Sequence, residues 1–318
     1  VVAATTKPTR SIPRAPPVRM ADVHSVCGLT DPFCKHSIGA KISDGGRSRT
    51  LAYNFHQRVN LPTNGSGNGA LLFPLSYLYQ PVCVGTVVGS STSVSYTTFA
   101  ASNNFFGGAT ISGYRITSAG FRFRSIASPL NASGMVFIRN FTTKSPALLG
   151  TNDIATYNCD DYLDVALQDC RDVVVVPQRF DAMMSKQLTD PLVTNSNNLL
   201  SNYVPPGWSV VQIGVIGGPT SVSVLDIEMI VNYEIEFSDS DPMQLAATPT
   251  PPVNPIVNDA VNMVSNSVKS IAKTGAESFG KMLAQKATMA IAGLVGGRIG
   301  GPSGARAGMM IADAAMVD

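Results

Sequence analysis

The run from Val222 to Phe237, VSVLDIEMIVNYEIEF, limits what this chain can fold into more than any other stretch. Val222 and Val224 flank Ser223, and Leu225 follows. Ile227, Met229, Val231, Tyr233, Ile235 and Phe237 then hold every second position, while Asp226, Glu228, Asn232, Glu234 and Glu236 fall on the other parity. A period of two belongs to a strand with one face on a core. The other face, lined with carboxylates, needs water or a partner. A second stretch, Tyr114 to Asn140, has the same character. Phe121 and Phe123 alternate with Arg122 and Arg124, and a turn containing Pro129, Asn131, Ser133 and Gly134 leads into the apolar run MVFI. Two arginines on one strand face repel each other, by up to about 1 kcal/mol, so they too call for partners.

Further strands are expected at Leu51–Leu61, Ala70–Tyr77, Ile111–Ile126, Gly134–Phe141, Asp172–Pro177, Ser209–Ile216 and Val222–Phe237, the long ones with bends or a break. Residues 80–108 should insert a small helix or hairpin, and the acidic stretch 150–170 a short helix. Turn signals separate the strands, Gly (28) and Pro (21) are plentiful, and no strand–helix–strand alternation is visible. The fold class is therefore all-β, a sandwich or barrel. Only three histidines occur, His24, His36 and His56. With no nucleophile elbow and no phosphate-binding loop, an enzyme acting on other molecules is not expected.

Charge is distributed unevenly along the chain. Residues 1–58 hold nine Lys/Arg against three acids, and residues 59–256 hold eight against fourteen. Val1–Met20 is extended by Pro8, Pro13, Pro16 and Pro17. It carries Lys7, Arg10, Arg14 and Arg19, which can contact phosphates without reading sequence. After the Pro-rich stretch 239–255 the period becomes helical. Val257, Val261, Val264, Val268, Ile271, Phe279 and Met282 form one stripe, and Lys269, Lys273, Lys281 and Lys286 line the polar side. Such a helix can lie in a membrane surface, with Val261, Val264, Val268, Ile271 and Phe279 as the inserting face, or can pack against protein. No run of 18 strongly apolar residues suggests a membrane span. Five cysteines, an odd number, argue against a complete disulfide framework.

The stretches VCGLTDPFCKHSIGAKISDGGRSRTLAYNF, YRITSAGFRFRSIASPLNASGMVFI and GWSVVQIGVIGGPTSVSVLDIEMIVNYEIEF resemble single-jelly-roll capsid proteins of small icosahedral viruses, of the noda-like and tombus-like kind. Similar coats occur on some small DNA viruses, including those of diatoms. The resemblance covers roughly residues 20–240. It implies an eight-stranded, two-sheet jelly roll. It divides the chain into a basic arm and connector (1–48), a shell domain (49–238), a Pro-rich linker (239–255) and a C-terminal tail (256–318). It implies self-assembly into an icosahedral shell, T=3 with about 180 copies, around a genome for which RNA is favoured over DNA. The arm residues Lys7, Arg10, Arg14 and Arg19 would touch that genome. The protein would then reside in the virion, and the C-terminal helix would be a candidate for contact with host membrane.

Nodaviruses release a comparable helix by self-cleavage at an Asn–Ala bond. Here the comparable place reads Val257-Asn258-Asp259-Ala260, so no cleavage is expected and no catalytic residue is assigned. The resemblance allows Ca²⁺ between subunits, with Asp160, Asp161 and Asp164 as candidate oxygen ligands. The alternative for these acids is a solvated loop. His24, Cys27, Cys34 and His36 have zinc-compatible ligand types at an unfamiliar spacing, and Cys27 and Cys34 could instead pair as a disulfide. Arg122 and Arg124 either line the inner surface of the shell or pair with acids of a neighbouring subunit, such as Asp226 or Glu234. In both cases the expected partner lies outside the single chain. The competing reading from another class is a β-sandwich module that binds a receptor or carbohydrate and carries a membrane-active tail.

Overall fold

The computed structural model describes residues 32–33, 37–42, 48–73, 75, 83–87, 93–98, 111–141, 151–153, 159, 161–177, 179, 188 and 207–251. The arm, the zinc-type cluster His24/Cys27/Cys34/His36, Asp160 and the C-terminal helix fall outside these residues. Twelve strands are described: β1 (Arg49–Pro62), β2 (Gly69–Phe73), β3 (Cys83–Val87), β4 (Ser93–Thr98), β5 (Ile111–Ser125), β6 (Met135–Phe141), β7 (Thr151–Asp153), β8 (Asp161–Ala166), β9 (Val173–Val175), β10 (Val210–Ile216), β11 (Ser223–Phe237) and β12 (Thr248–Pro249). They build two antiparallel sheets, ordered β12-β1-β11-β5-β9 and β7-β4-β3-β2-β10-β6-β8. Set β12, β3, β4 and β7 aside. Two four-stranded sheets remain, β1-β11-β5-β9 and β2-β10-β6-β8, and the chain crosses repeatedly from one to the other. This is the doubled Greek key of a jelly roll.

The alternation read in Val222–Phe237 is the alternation of β11. Its apolar parity, Ile227, Met229, Val231, Tyr233, Ile235 and Phe237, is buried between the sheets. There it meets Phe121 and Phe123 of β5 and Leu71, Phe73, Val211, Ile213, Val136 and Ile138 of the facing sheet. Phe73 and Phe121 pack with ring centroids 4.6 Å apart across the core. The expected irregularities of the long strands fall between Asn232 and Tyr233, between Glu236 and Phe237, and between Leu61 and Pro62.

Of the helix or hairpin expected within residues 80–108, the described residues show the hairpin: β3 and β4 pair with each other and widen the second sheet. Two expectations need correction. The acidic stretch 150–170 contains the strand β8, paired along β6, and its helical content among the described residues is a three-residue 3-10 turn, Leu167–Asp169. The alternation of β8 was hidden because Leu163 and Val165 are the only large aliphatic residues of that strand. The stretch 239–255, read as a linker, begins as part of the sandwich. Asp241 caps a 3-10 turn, Pro242–Leu245, by accepting from the Met243 N–H at 2.8 Å. Thr248 and Pro249 then pair with Thr50 and Arg49. Ala247 and Thr250 are buried.

On the outer face of the second sheet, Gln212 of β10 and Arg139 of β6 are buried, and the Arg139 guanidinium lies 4.4 Å from the centroid of the Phe137 ring. Phe137 sits opposite Gly214 on β10. A Cβ at Gly214 would come within 2.2 Å of the Phe137 ring. The glycine is the bed on which that aromatic lies.

Candidate functional site

The outer face of the first sheet carries the polar parity of β11, and it is here that the charges identified from sequence meet. Arg122 and Arg124 of β5 stand directly opposite Glu228 and Asp226 of β11. From the other side, β1 contributes His56 and Arg58, reaching the same two carboxylates on the diagonal. Glu228 accepts from Arg122 Nη2 at 2.7 Å and Arg122 Nε at 2.9 Å, and its other oxygen lies 2.7 Å from His56 Nε2. Asp226 Oδ2 lies 2.8 Å from Arg58 Nη2 and 3.1 Å from Arg124 Nη2. Each acid is thus held between two basic side chains, one from each neighbouring strand.

The expected location of these partners is therefore corrected. Asp226 belongs to the same chain as Arg124, and Glu228 relieves Arg122. Register explains this: a cation two residues along one strand meets an anion two residues along the next. The acids are the better shielded members, 20% and 13% exposed against 42% to 58% for the arginines. Burial acts to raise the Glu228 carboxyl, but the hydrogen bonds and charges of His56 and Arg122 outweigh it and hold Glu228 below its ordinary value. The cluster still presents three guanidinium groups to solvent around a shallow cleft that also includes Asp172.

Farther along the same face the sheet is covered. Pro32 and Phe33 lie over Gly120, where a Cβ would come within 2.9 Å of Pro32. The Arg122 guanidinium stacks 4.6 Å from the centroid of Phe33. Ser37 Oγ donates to the Pro32 carbonyl at 2.6 Å. Asn232 Nδ2 donates to Ser118 Oγ at 2.8 Å. Glu234 is fully buried and accepts from Arg115 Nε at 2.7 Å, from the Ile42 N–H at 2.9 Å and from Thr50 Oγ1 at 2.8 Å. Lys41 Nζ donates to the carbonyls of Thr50 and Thr248. Burial lowers the pKa of Lys41; Glu234 opposes this shift and Arg115 adds to it. Residues 32–33 and 37–42 are therefore a strap, and its anchor is a buried carboxylate with three donors. The carboxylate itself was visible in the sequence. Its burial was not, because the residues that cover it lie nearly 200 positions away.

The remaining sequence candidates are placed differently. Of the candidate calcium ligands, positions 161 and 164 both lie in β8. Among the described residues no group of three or more His, Cys, Asp or Glu is arranged to hold a metal ion. Cys170 packs in the core, and burial, aided by Asp169, pushes its thiol up to about 12.

No protein-family model matches the sequence, and no curated protein does. Solved structures do match. The fold is similar to the subunit of infectious bursal virus derived T=1 particles, with a TM-score of 0.59 at 10% identity, covering 84% of this chain and 96% of that one. It is similar to the subunit of the T13 viral particle of the same virus, with a TM-score of 0.57 at 11% identity, covering 84% and 97%. The VP2 subviral particle of infectious bursal disease virus gives 0.56 at 10% identity, covering 82% and 98%. The shared property is the fold, a jelly roll of the kind seen in viral capsid proteins.

Proposed function

We propose that this chain is a viral capsid protein whose copies assemble into a closed icosahedral shell around a genome. The observation that carries the reading is the jelly-roll topology, which aligns with nearly the whole length of a particle-forming capsid subunit. Composition supports it. Only 14% of the residues are charged, which suits a surface that is largely covered by sister copies. The basic residues Lys7, Arg10, Arg14 and Arg19 face the packaged nucleic acid, for which RNA is favoured, and Arg122 and Arg124 lie at the inner surface or at a subunit boundary. Similar subunits form both T=1 and T=13 particles. The T=3 arrangement is therefore a proposal about angles between copies, which the fold leaves open. Calcium between subunits and membrane contact by residues 256–294 are further parts of this reading.

Sedimentation and electron microscopy of the purified full chain test it. The expected result is hollow or filled particles of megadalton mass, with nuclease-protected nucleic acid extractable from them. A chain that stays monomeric or forms a small oligomer across concentration, pH and added Ca²⁺ overturns the reading.

A further inference from the structure

Three loops meet at one end of the sandwich, and their composition sets them apart from the rest of the chain. They comprise residues 62–68, 126–135 and 216–223. None of these residues is Asp, Glu, Lys, Arg or His. The fourth loop at this end, 167–172, carries Asp169, Arg171 and Asp172 and lies on the flank toward the charged face described above. Six large apolar side chains are exposed among the described residues, and four of them, Ile126, Leu130, Met135 and Val222, are on the uncharged loops. Leu130 is 96% exposed. Leu130 itself lines an open groove, together with Ile126, Ala127, Pro219 and Val222, and the rest of the lining is Gly218 and uncharged polar residues.

The loops are braced rather than loose. Gly218 N–H donates to the Gly67 carbonyl at 2.9 Å and Ser221 N–H to the Asn64 carbonyl at 2.9 Å. Gly217 N–H donates to Asn68 Oδ1 at 3.0 Å. Thr63 N–H donates to the Val222 carbonyl at 2.9 Å, Ile126 N–H to the Val224 carbonyl at 3.0 Å, and Leu167 N–H to the Gly134 carbonyl at 3.0 Å. A tip held this firmly spends little conformational entropy on docking. Its apolar side chains are therefore presented to something.

We infer that this loop end is a contact surface for other copies of this chain, with Leu130 of one copy entering the Ile126/Val222 groove of the next. The inference rests on the proposed shell and names one of its contacts. The absence of charge is what selects the occupant. Where identical chains gather about a rotation axis, each residue meets its own copies or near neighbours, so a charge of either sign would face its like. An outside protein partner imposes no such restriction, and complementary charges are the usual means of guiding one in. Depletion of charge around exposed aliphatic groups is the composition expected for the core of an interface between copies.

The test uses two full chains, each with a different affinity tag. One carries Leu130→Cys and the other Val222→Cys, and they are co-expressed and oxidised. The expected result is a disulfide joining the two tags that forms when both introduced cysteines are present and is lost when either is left out, which excludes the five native cysteines as its source. In parallel, Leu130→Asp should raise the concentration needed for half-assembly at least tenfold, while its urea midpoint stays that of the parent and Leu130→Met assembles normally. Parent particles that form while Leu130→Asp assembles equally well, and no cross-tag disulfide, overturn the inference and leave the capsid reading standing. Particles that assemble normally with Leu130→Asp but lose attachment to cells assign the surface to an outside partner and overturn it as well. If the parent chain makes no particles, the capsid reading itself fails, and the inference with it.

Discussion

Glu234 is the residue on which most of the covered face depends. Its carboxylate is fully buried, and its three donors come from β5, β1 and the strap. Burying a lone charge is prohibitive, and a buried pair holds only when the remaining hydrogen-bond sites are filled. Glu234→Leu leaves the Arg115 guanidinium charged, 1% exposed and without its counter-ion. The expected loss is about 3–5 kcal/mol, read from urea unfolding of the disassembled subunit. Glu228 makes the opposite case, because its ladder is open to water. Exposed pairs contribute up to about 1 kcal/mol. Since Glu228 is held below its ordinary value of 4.5, its contribution is complete above that pH and is lost as the pH falls through the folded value. The urea midpoints of the parent chain and of Glu228→Gln should therefore differ at pH 7 and converge on acidification toward pH 3, with the parent chain losing the more. A gap that persists at acid pH would mean that Glu228 acts through packing and not through charge.

At the scale of elements, β10 and β6 show how a glycine inside an apolar strand can be central to packing. Gly214 interrupts the apolar run of β10, and glycine inside a strand usually weakens it. Here it gives the Phe137 ring a surface to lie on, and the ring in turn supports Arg139. Gly214→Val would place a side chain within 2.2 Å of that ring and within 2.6 Å of the Gly69 backbone. Overpacking of this kind costs about 1–3 kcal/mol. The expected outcome is a lower urea midpoint, and partial recovery when Phe137→Leu is added. The strap works by the same principle at Gly120, where only a missing side chain lets Pro32 and Phe33 approach the sheet.

For the molecule as a whole, the arm and the shell separate into distinct measurements. If the arm contacts the genome, replacing Lys7, Arg10, Arg14 and Arg19 with Ser should leave particle formation intact and reduce the nucleic acid recovered from the particles. Single-strand binding loses about 0.7 in its log–log salt slope for each phosphate contact removed. The full substitution should lower that slope by about 3, measured on the disassembled subunit with a homopolymer RNA. An unchanged slope would place nucleic-acid contact elsewhere on the chain, with the guanidinium cluster of Arg58, Arg122 and Arg124 as the first alternative.

The sequence alone determined the class of fold, because a period of two across Ile227–Phe237 and Phe121–Arg124 is a local property that belongs to a strand with one face on a core. It also placed Arg122 and Arg124 outward and Phe121 and Phe123 inward, since parity on a strand is decided by near neighbours. Only the tertiary structure decided which acids those arginines meet, that the strap buries Glu234, and that residues 248–249 add a strand beside β1. Each of these depends on pairing register and on coverage by segments far away in the chain. Neither leaves a mark in the local pattern of residues, because the same Glu serves equally well on a strand whether water or another segment lies above it.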